Sequence, residues 1–327
     1  MQQLMKRTVV YAMILSVAIM CMVLVYAGNR QIVITDITQE QGQVKSSMTV
    51  ADGKKLSFGS AVADSKYLII PLTETIKAED VTIENHYMDH ELWIEIQGLE
   101  SGFFPTHEIT GDATHVSDGR FTSKNGSFCL KFQLTDIYEY RSILEKNQLY
   151  IEFVHPKDMY ERIVVIDPSA DDVSLEVAEK LRNSLNQTDI RAYFVRQDKT
   201  AADVEQTMEL VEKTGADLYI KLGVLEHTDT AKYGVVSYYD PDYFIPQFGN
   251  QELADLLERN VVTVLREKAN GILPCEENSI LRKLKIPSAD LRLGYMSNRK
   301  EAELLQEESY QKLAAEGIMT ALQSYYQ

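Results

Sequence analysis

From Arg162 to the end, short apolar runs alternate with amphipathic stretches, and this rhythm restricts the second half of the chain more than any other feature. RIVVID reads as a strand and SLEVAEKLRNSL as a helix, with Leu175, Ala178, Leu181 and Leu185 at helical spacing. RAYFVR is strand-like, and VEQTMELVEKTG is helical and stops at Gly215. ADLYIKLGVL and GVVSYYD read as strands, NQELADLLERNVVTVLREKA as a long amphipathic helix, ADLRLGYM as a late strand, and a final helix runs from about Lys300. Strands that alternate with helices predict an α/β fold with a mostly parallel sheet covered by helices on both faces. In such sheets the working site lies at the carboxyl ends of the strands. That places the loops after Ile166, after Leu222 and around Arg292 under scrutiny.

Residues 31–157 read differently. KYLIIPL, ELWIEIQG, SFCLKFQL and QLYIEFV are short runs rich in β-branched and aromatic residues. Asp-Gly at 52–53 and 118–119 and Asn-Gly at 125–126 are turn signals. The expectation is a small antiparallel β domain ahead of the α/β unit at 158–327, with His155-Pro156 as the junction because proline ends a strand. His86, His90, His107 and His115 lie here, but their spacing fits no compact metal site.

Residues 1–30 form a third part. Lys6 and Arg7 precede a stretch from Val9 to Ala27 without a charged residue. At about 1.5 Å per residue such a helix crosses a bilayer core of about 30 Å. The positive residues before it place the body outside the cytoplasm. The expectation is a single-pass membrane anchor with an extracytoplasmic C-terminal body. The alternative is a cleaved signal peptide ending near Val25-Tyr26-Ala27, and both readings export the protein. The net charge of −16 argues against nucleic acid as a partner. Cys21 falls in the membrane segment, leaving Cys129 and Cys275 either as one disulfide or as two separate thiols.

Four ordered stretches in the second half resemble the zinc-dependent N-acetylmuramoyl-L-alanine amidases that cleave peptidoglycan. They are Ile166-Asp167-Pro168, Ala216 to Gly223, Gly234 to Tyr239, and Pro287 to Asn298. The resemblance implies where the family's chemistry would sit. The first zinc histidine falls at Ala170, with Ser169 in place of the preceding glycine, and the second falls at Gly223. The glutamate that serves as general acid and base falls at Arg292, and the loop that carries a glutamate ligand is missing ahead of the first helix. Alanine and glycine have no donor atoms, and arginine stays protonated and cannot act as a base. The expectation is therefore no catalytic residue, no metal ligand and no zinc. What remains is a relic pocket formed by Asp167, Ser169, Ala170, Lys221, Gly223 and Arg292.

Lys221 shares a strand face with Gly223, so two fixed cations replace the metal's charge. Arg292 either grips a carboxylate of a peptidoglycan stem peptide or pairs with Asp290, Asp171 or Asp172 and fills the hole. Asp171 or Asp172 is expected to cap the following helix. An alternative enzyme reading rebuilds a metal site from Asp171, Asp172, Glu226 or His227. The order of the two exported parts resembles amidases that carry an N-terminal AMIN-type β domain. The expected partners are peptidoglycan or cell-wall proteins, with the membrane reached through the N-terminal helix.

Overall fold

The computed structural model describes residues 53–60, 65–100, 102–124, 126–200 and 202–327. The membrane segment, Asp52 and Asn125 lie outside the described residues. Among the described residues, no helix is long and apolar enough to cross a membrane.

The first unit holds strands β1 (Lys54–Lys55), β2 (Leu68–Pro71), β3 (Val81–His86), β4 (Glu91–Gln97), β5 (Thr110–Gly111), β6 (Val116–Lys124), β7 (Ser127–Leu134), β8 (Glu139–Glu145) and β9 (Gln148–Val154). They form two antiparallel sheets, ordered β1-β6-β7-β4-β3 and β5-β2-β9-β8. Alternation along β7 and β9 sends Phe128, Leu130 and Phe132, and Leu149, Ile151 and Phe153, into one shared core. The Asp-Gly pair at 118–119 does not turn the chain; it falls inside β6. Gly119 is needed there because a side chain would sit 2.7 Å from the Phe58 ring. Cys129 is buried in this unit and Cys275 in the second, and no disulfide joins them.

After one-turn helices α1 (Phe103–Thr106) and α2 (Pro156–Met159), the second unit begins at β10 (Arg162–Pro168). It continues through α3 (Asp172–Leu185), β11 (Ile190–Phe194), α4 (Val204–Thr214), β12 (Leu218–Leu225), β13 (Val235–Tyr239), α5 (Asn250–Leu265), β14 (Ala269–Pro274), β15 (Ser288–Tyr295), α6 (Arg299–Leu305) and α7 (Glu308–Tyr326). The sheet order is β11-β10-β12-β15-β13-β14. Every pairing is parallel except β13 with β15.

The central strands β10, β12 and β15 are buried on both sides, as continuous apolar runs require, whereas the edge strand β14 is not. Val164 and Ile166 face a core with α3, α5 and α7, while Ile163 and Val165 face a second core with α4. Helices therefore cover both faces. Helices α5 and α7 approach closely at Gly317, where an added side-chain carbon would stand 2.7 Å from the Val261 backbone. The predicted final helix is two helices, broken at Gln306, with the Leu305 carbonyl satisfied by the side chain of Gln311 at 3.1 Å.

The two units share a buried seam. Tyr87 and Ile137 of the sandwich join the second core beside Ile163, Val165 and Tyr193. The Tyr87 hydroxyl accepts from the Phe194 amide and donates to the Phe194 carbonyl, both at 2.9 Å.

Candidate functional site

The register of the parallel strands brings the candidate residues into one row. Asp167 of β10 lies opposite Lys221 of β12, and Lys221 lies opposite Asp290 of β15. One step toward the carboxyl ends, Gly223 lies opposite Arg292. Side chains two apart on a strand share a face, so Tyr219, Lys221 and Gly223 look the same way, toward the α4 side.

Arg292 covers Gly223. A side-chain carbon added at Gly223 would stand 2.1 Å from Nη1 of Arg292, 2.8 Å from Cζ and 3.0 Å from the Ser169 hydroxyl. The guanidinium is fixed by Nη2, which donates to Oδ2 of Asp290 at 2.6 Å, and by Nη1, which donates to the Val224 carbonyl at 3.3 Å. Of the two expected roles for Arg292, the structure shows pairing with Asp290. Asp171 and Asp172 are engaged elsewhere. Asp171 caps α3, with Oδ1 accepting from the Ser174 amide at 2.8 Å and Oδ2 from the Ser174 hydroxyl at 2.7 Å. Asp172 is exposed and pairs with Lys199 at 2.7 Å.

The row is electrostatically uneven. Asp290 is 8% exposed; its Oδ1 is buried and has no hydrogen-bond partner among the described residues. Burial pushes the Asp290 carboxyl above the ordinary carboxylate range, although Arg292 and Lys221 oppose the shift. Asp167 accepts from the Tyr219 hydroxyl, with Arg196 at 3.9 Å. Burial drives the Tyr219 phenol well above its usual range, and the neighbouring Asp167 charge adds to it. The Lys221 side chain makes no hydrogen bond or ion pair with any described residue.

Lys221, Asp290 and Arg292 line an open cavity of about 420 Å³, walled by Tyr238, Glu276 and Ser279 among others. The structure thus brings Lys221 and Arg292 together and sets Ser169 and Gly223 against the same guanidinium. Asp167 lies outside the cavity lining, held against Tyr219, and Ala170 is exposed on the bend before α3. Tyr238 lies in the Gly234–Tyr239 stretch but carries no mark of a place in the pocket, and Glu276 lies outside every motif stretch. Asp290 is legible in the sequence only as a partner for Arg292.

These residues do not fit a zinc ion. The space facing Gly223 is filled by a cation, and Ala170 offers no lone pair. Only Ser169, Ala170 and Asp171 separate β10 from α3, so no loop remains to carry a further ligand. Among the described residues, no three His, Cys, Asp or Glu side chains converge on a metal-sized site. Glu226 is exposed. The His227 Nδ1 accepts from the Asp229 amide at 2.9 Å, and its Nε2 lies 3.0 Å from the Lys232 ammonium. The sandwich histidines are equally dispersed: His86 stacks on Trp93, His107 stacks on Phe103, and His115 lies against Tyr138.

Residues 167–324 match the family model described as N-acetylmuramoyl-L-alanine amidase. Three proteins of Bacillus subtilis strain 168 are similar to the chain. The uncharacterized protein YqiI is 24% identical, over 47% of this chain and 73% of its own length. The germination-specific N-acetylmuramoyl-L-alanine amidase is 25% identical, over 47% of this chain and 70% of its own. The amidase LytC is 21% identical over 47% of this chain but only 31% of its own length. Among solved structures, the catalytic domain of CwlV from Bacillus (Paenibacillus) polymyxa var. colistinus is 21% identical. The match covers 50% of this chain and 98% of that domain, with a TM-score of 0.46. Over residues 167–324, the chain is a member of the N-acetylmuramoyl-L-alanine amidase family.

Proposed function

We propose that this protein is an exported, membrane-anchored pseudo-amidase that binds peptidoglycan, or a cell-wall enzyme, without hydrolysing the amide. One observation carries the reading: the Arg292 guanidinium lies on Gly223 and is fixed there by Asp290 and the Val224 carbonyl. In the family resemblance these are the positions of the catalytic carboxylate and of a zinc histidine. A cation held at that point repels a second cation, and a guanidinium cannot accept a proton from water. The family fold supports peptidoglycan as the ligand class. The uncharged stretch from Val9 to Ala27 after Lys6 and Arg7 supports anchoring and export. The sandwich then acts as the wall-facing targeting module.

In this reading Lys221 is the group that meets the ligand. Arg292 has already spent its strongest contact on Asp290, whereas Lys221 has no such partner and lines the open cavity. A stem peptide carries carboxylates, which an ammonium binds as a point charge.

The test uses the full chain in non-ionic detergent, mixed with purified sacculi. The expected result is co-sedimentation, no release of stem peptides and less than stoichiometric zinc by elemental analysis. Zinc bound one to one together with peptide release would overturn the proposal. Lys221→Met should weaken co-sedimentation by about tenfold, the effect of losing about 1.4 kcal/mol of binding energy. Unchanged binding would remove Lys221 from the ligand site.

A further inference from the structure

A second cavity lies at the seam between the two units, remote in the fold from the relic pocket. It has a volume of about 90 Å³ and is lined by Arg182, Arg191, Asn186, Thr188, Tyr87 and Tyr160, among others. Two arginines in so small a space require an account of their charges.

Arg191 has one. Its guanidinium pairs with Glu139 of the sandwich at 2.6 Å. Asp189, the acidic group on the lining, is also engaged, with Arg162 on both carboxylate oxygens at 2.9 and 3.0 Å. Arg182 has no ion pair of that kind, and the Glu179 carboxylate on the same helix acts on it only from farther away. It is 7% exposed, and its side chain makes no hydrogen bond or ion pair with any described residue. Its guanidinium stacks over the Phe194 ring at 4.3 Å. This cation–π contact offsets part of the cost of taking the charge out of water, and it leaves the in-plane N–H donors without acceptors among the described residues. Burial lowers the Arg182 pKa; Tyr87 and the Glu179 carboxylate oppose the shift, and the Arg191 charge adds to it, yet a guanidinium stays protonated at neutral pH. A buried, permanently charged fork of donors that opens onto a cavity already holding a second arginine is a site awaiting an anion.

We propose that this cavity binds a small oxyanion, a carboxylate or phosphate group, gripped by the in-plane donors of Arg182 and flanked by Arg191. The volume admits one such group and excludes a sugar or a nucleoside. Tyr87 of the sandwich and Tyr160, which follows α2, line the same cavity, so the bound anion fastens the sandwich to the α/β unit. This site is independent of whether the relic pocket binds peptidoglycan.

The test follows thermal unfolding of the full chain in non-ionic detergent. Phosphate, acetate or potassium chloride is added at matched ionic strength, to wild type and to Arg182→Met. Phosphate or acetate is expected to raise the wild-type midpoint saturably, by about 3 °C or more beyond chloride. Arg182→Met should lack this response, and without anion it should be at least as stable as wild type, because a largely buried charge without a close ion pair has been replaced by an apolar chain. A response to phosphate alone identifies a phosphate-bearing ligand, and a response to both identifies a carboxylate-compatible one. No rise beyond chloride, or an equal rise in the variant, would overturn the proposal. Should Arg182→Met not fold, a selenate soak of wild-type crystals decides the matter: an anomalous peak within hydrogen-bond distance of Arg182 supports the site, and an empty cavity refutes it.

Discussion

Glu139 of the sandwich and Arg191 on the edge strand of the α/β sheet form an ion pair at 2.6 Å in which both side chains are almost excluded from water. The Nε of Arg191 also donates to the same carboxylate oxygen at 2.9 Å, and the Tyr193 hydroxyl donates there too. Breaking such a pair from one side strands the other charge. Glu139→Ala should therefore destabilise the protein by about 3–5 kcal/mol, whereas Glu139→Leu combined with Arg191→Met should recover most of the loss. Urea unfolding of the full chain measures both, and a single-variant loss under about 1 kcal/mol would contradict the pairing.

Gly223 should not tolerate a side chain. Its added carbon meets a guanidinium that is held by a carboxylate and a carbonyl and cannot swing away without breaking both contacts. Gly223→Ala is expected to cost about 1–3 kcal/mol, the usual penalty of overpacking. Adding Arg292→Ala to that variant removes the clash, so the double variant should lose less than the two single losses added together. Strict additivity in denaturant unfolding would show that the two residues do not touch.

Asp290 should give stability a definite pH dependence. Its folded-state pKa is raised, chiefly by burial. A group raised on folding contributes stability that is fully present below its unfolded value, about 3.9 for aspartate, and lost as pH rises through the folded value. The stability of wild type relative to Asp290→Asn should therefore decline as pH rises from about 4 toward neutrality. A difference that grows over that interval would mean that Arg292 outweighs burial.

The cap on α3 is simpler. Asp171 takes both the amide and the hydroxyl of Ser174. Asp171→Ala should lower stability by about 0.5–2 kcal/mol, and Asp171→Asn by less, since asparagine caps nearly as well. Circular dichroism melts of the pair separate capping from a role in ligand binding, which would leave the melting temperature unmoved.

Much of this fold is written locally. The α3 cap, the end of α4 at a left-handed Gly215, and the alternation in β7 and β9 each depend on residues a few positions apart. The order of charges across the sheet was half legible: strand periodicity puts Lys221 and Gly223 on one face, but the alignment of Asp167, Lys221 and Asp290 comes from register between strands. The two-residue β5 and the largely exposed β14 lack a periodic apolar signal of their own and exist because a neighbour offers them an edge. The seam was not legible at all. Tyr87 and Phe194, or Glu139 and Arg191, are distant in sequence, and neither partner carries a mark that names the other.

The Tyr87 hydroxyl has one further effect. β11 ends its sheet, and a terminal strand with open amides is an invitation to another chain. By occupying both the N–H and the C=O of Phe194, a single phenol stands where an incoming strand would have to hydrogen-bond. The same contact that joins two halves of one molecule thereby keeps separate molecules from zipping together edge to edge.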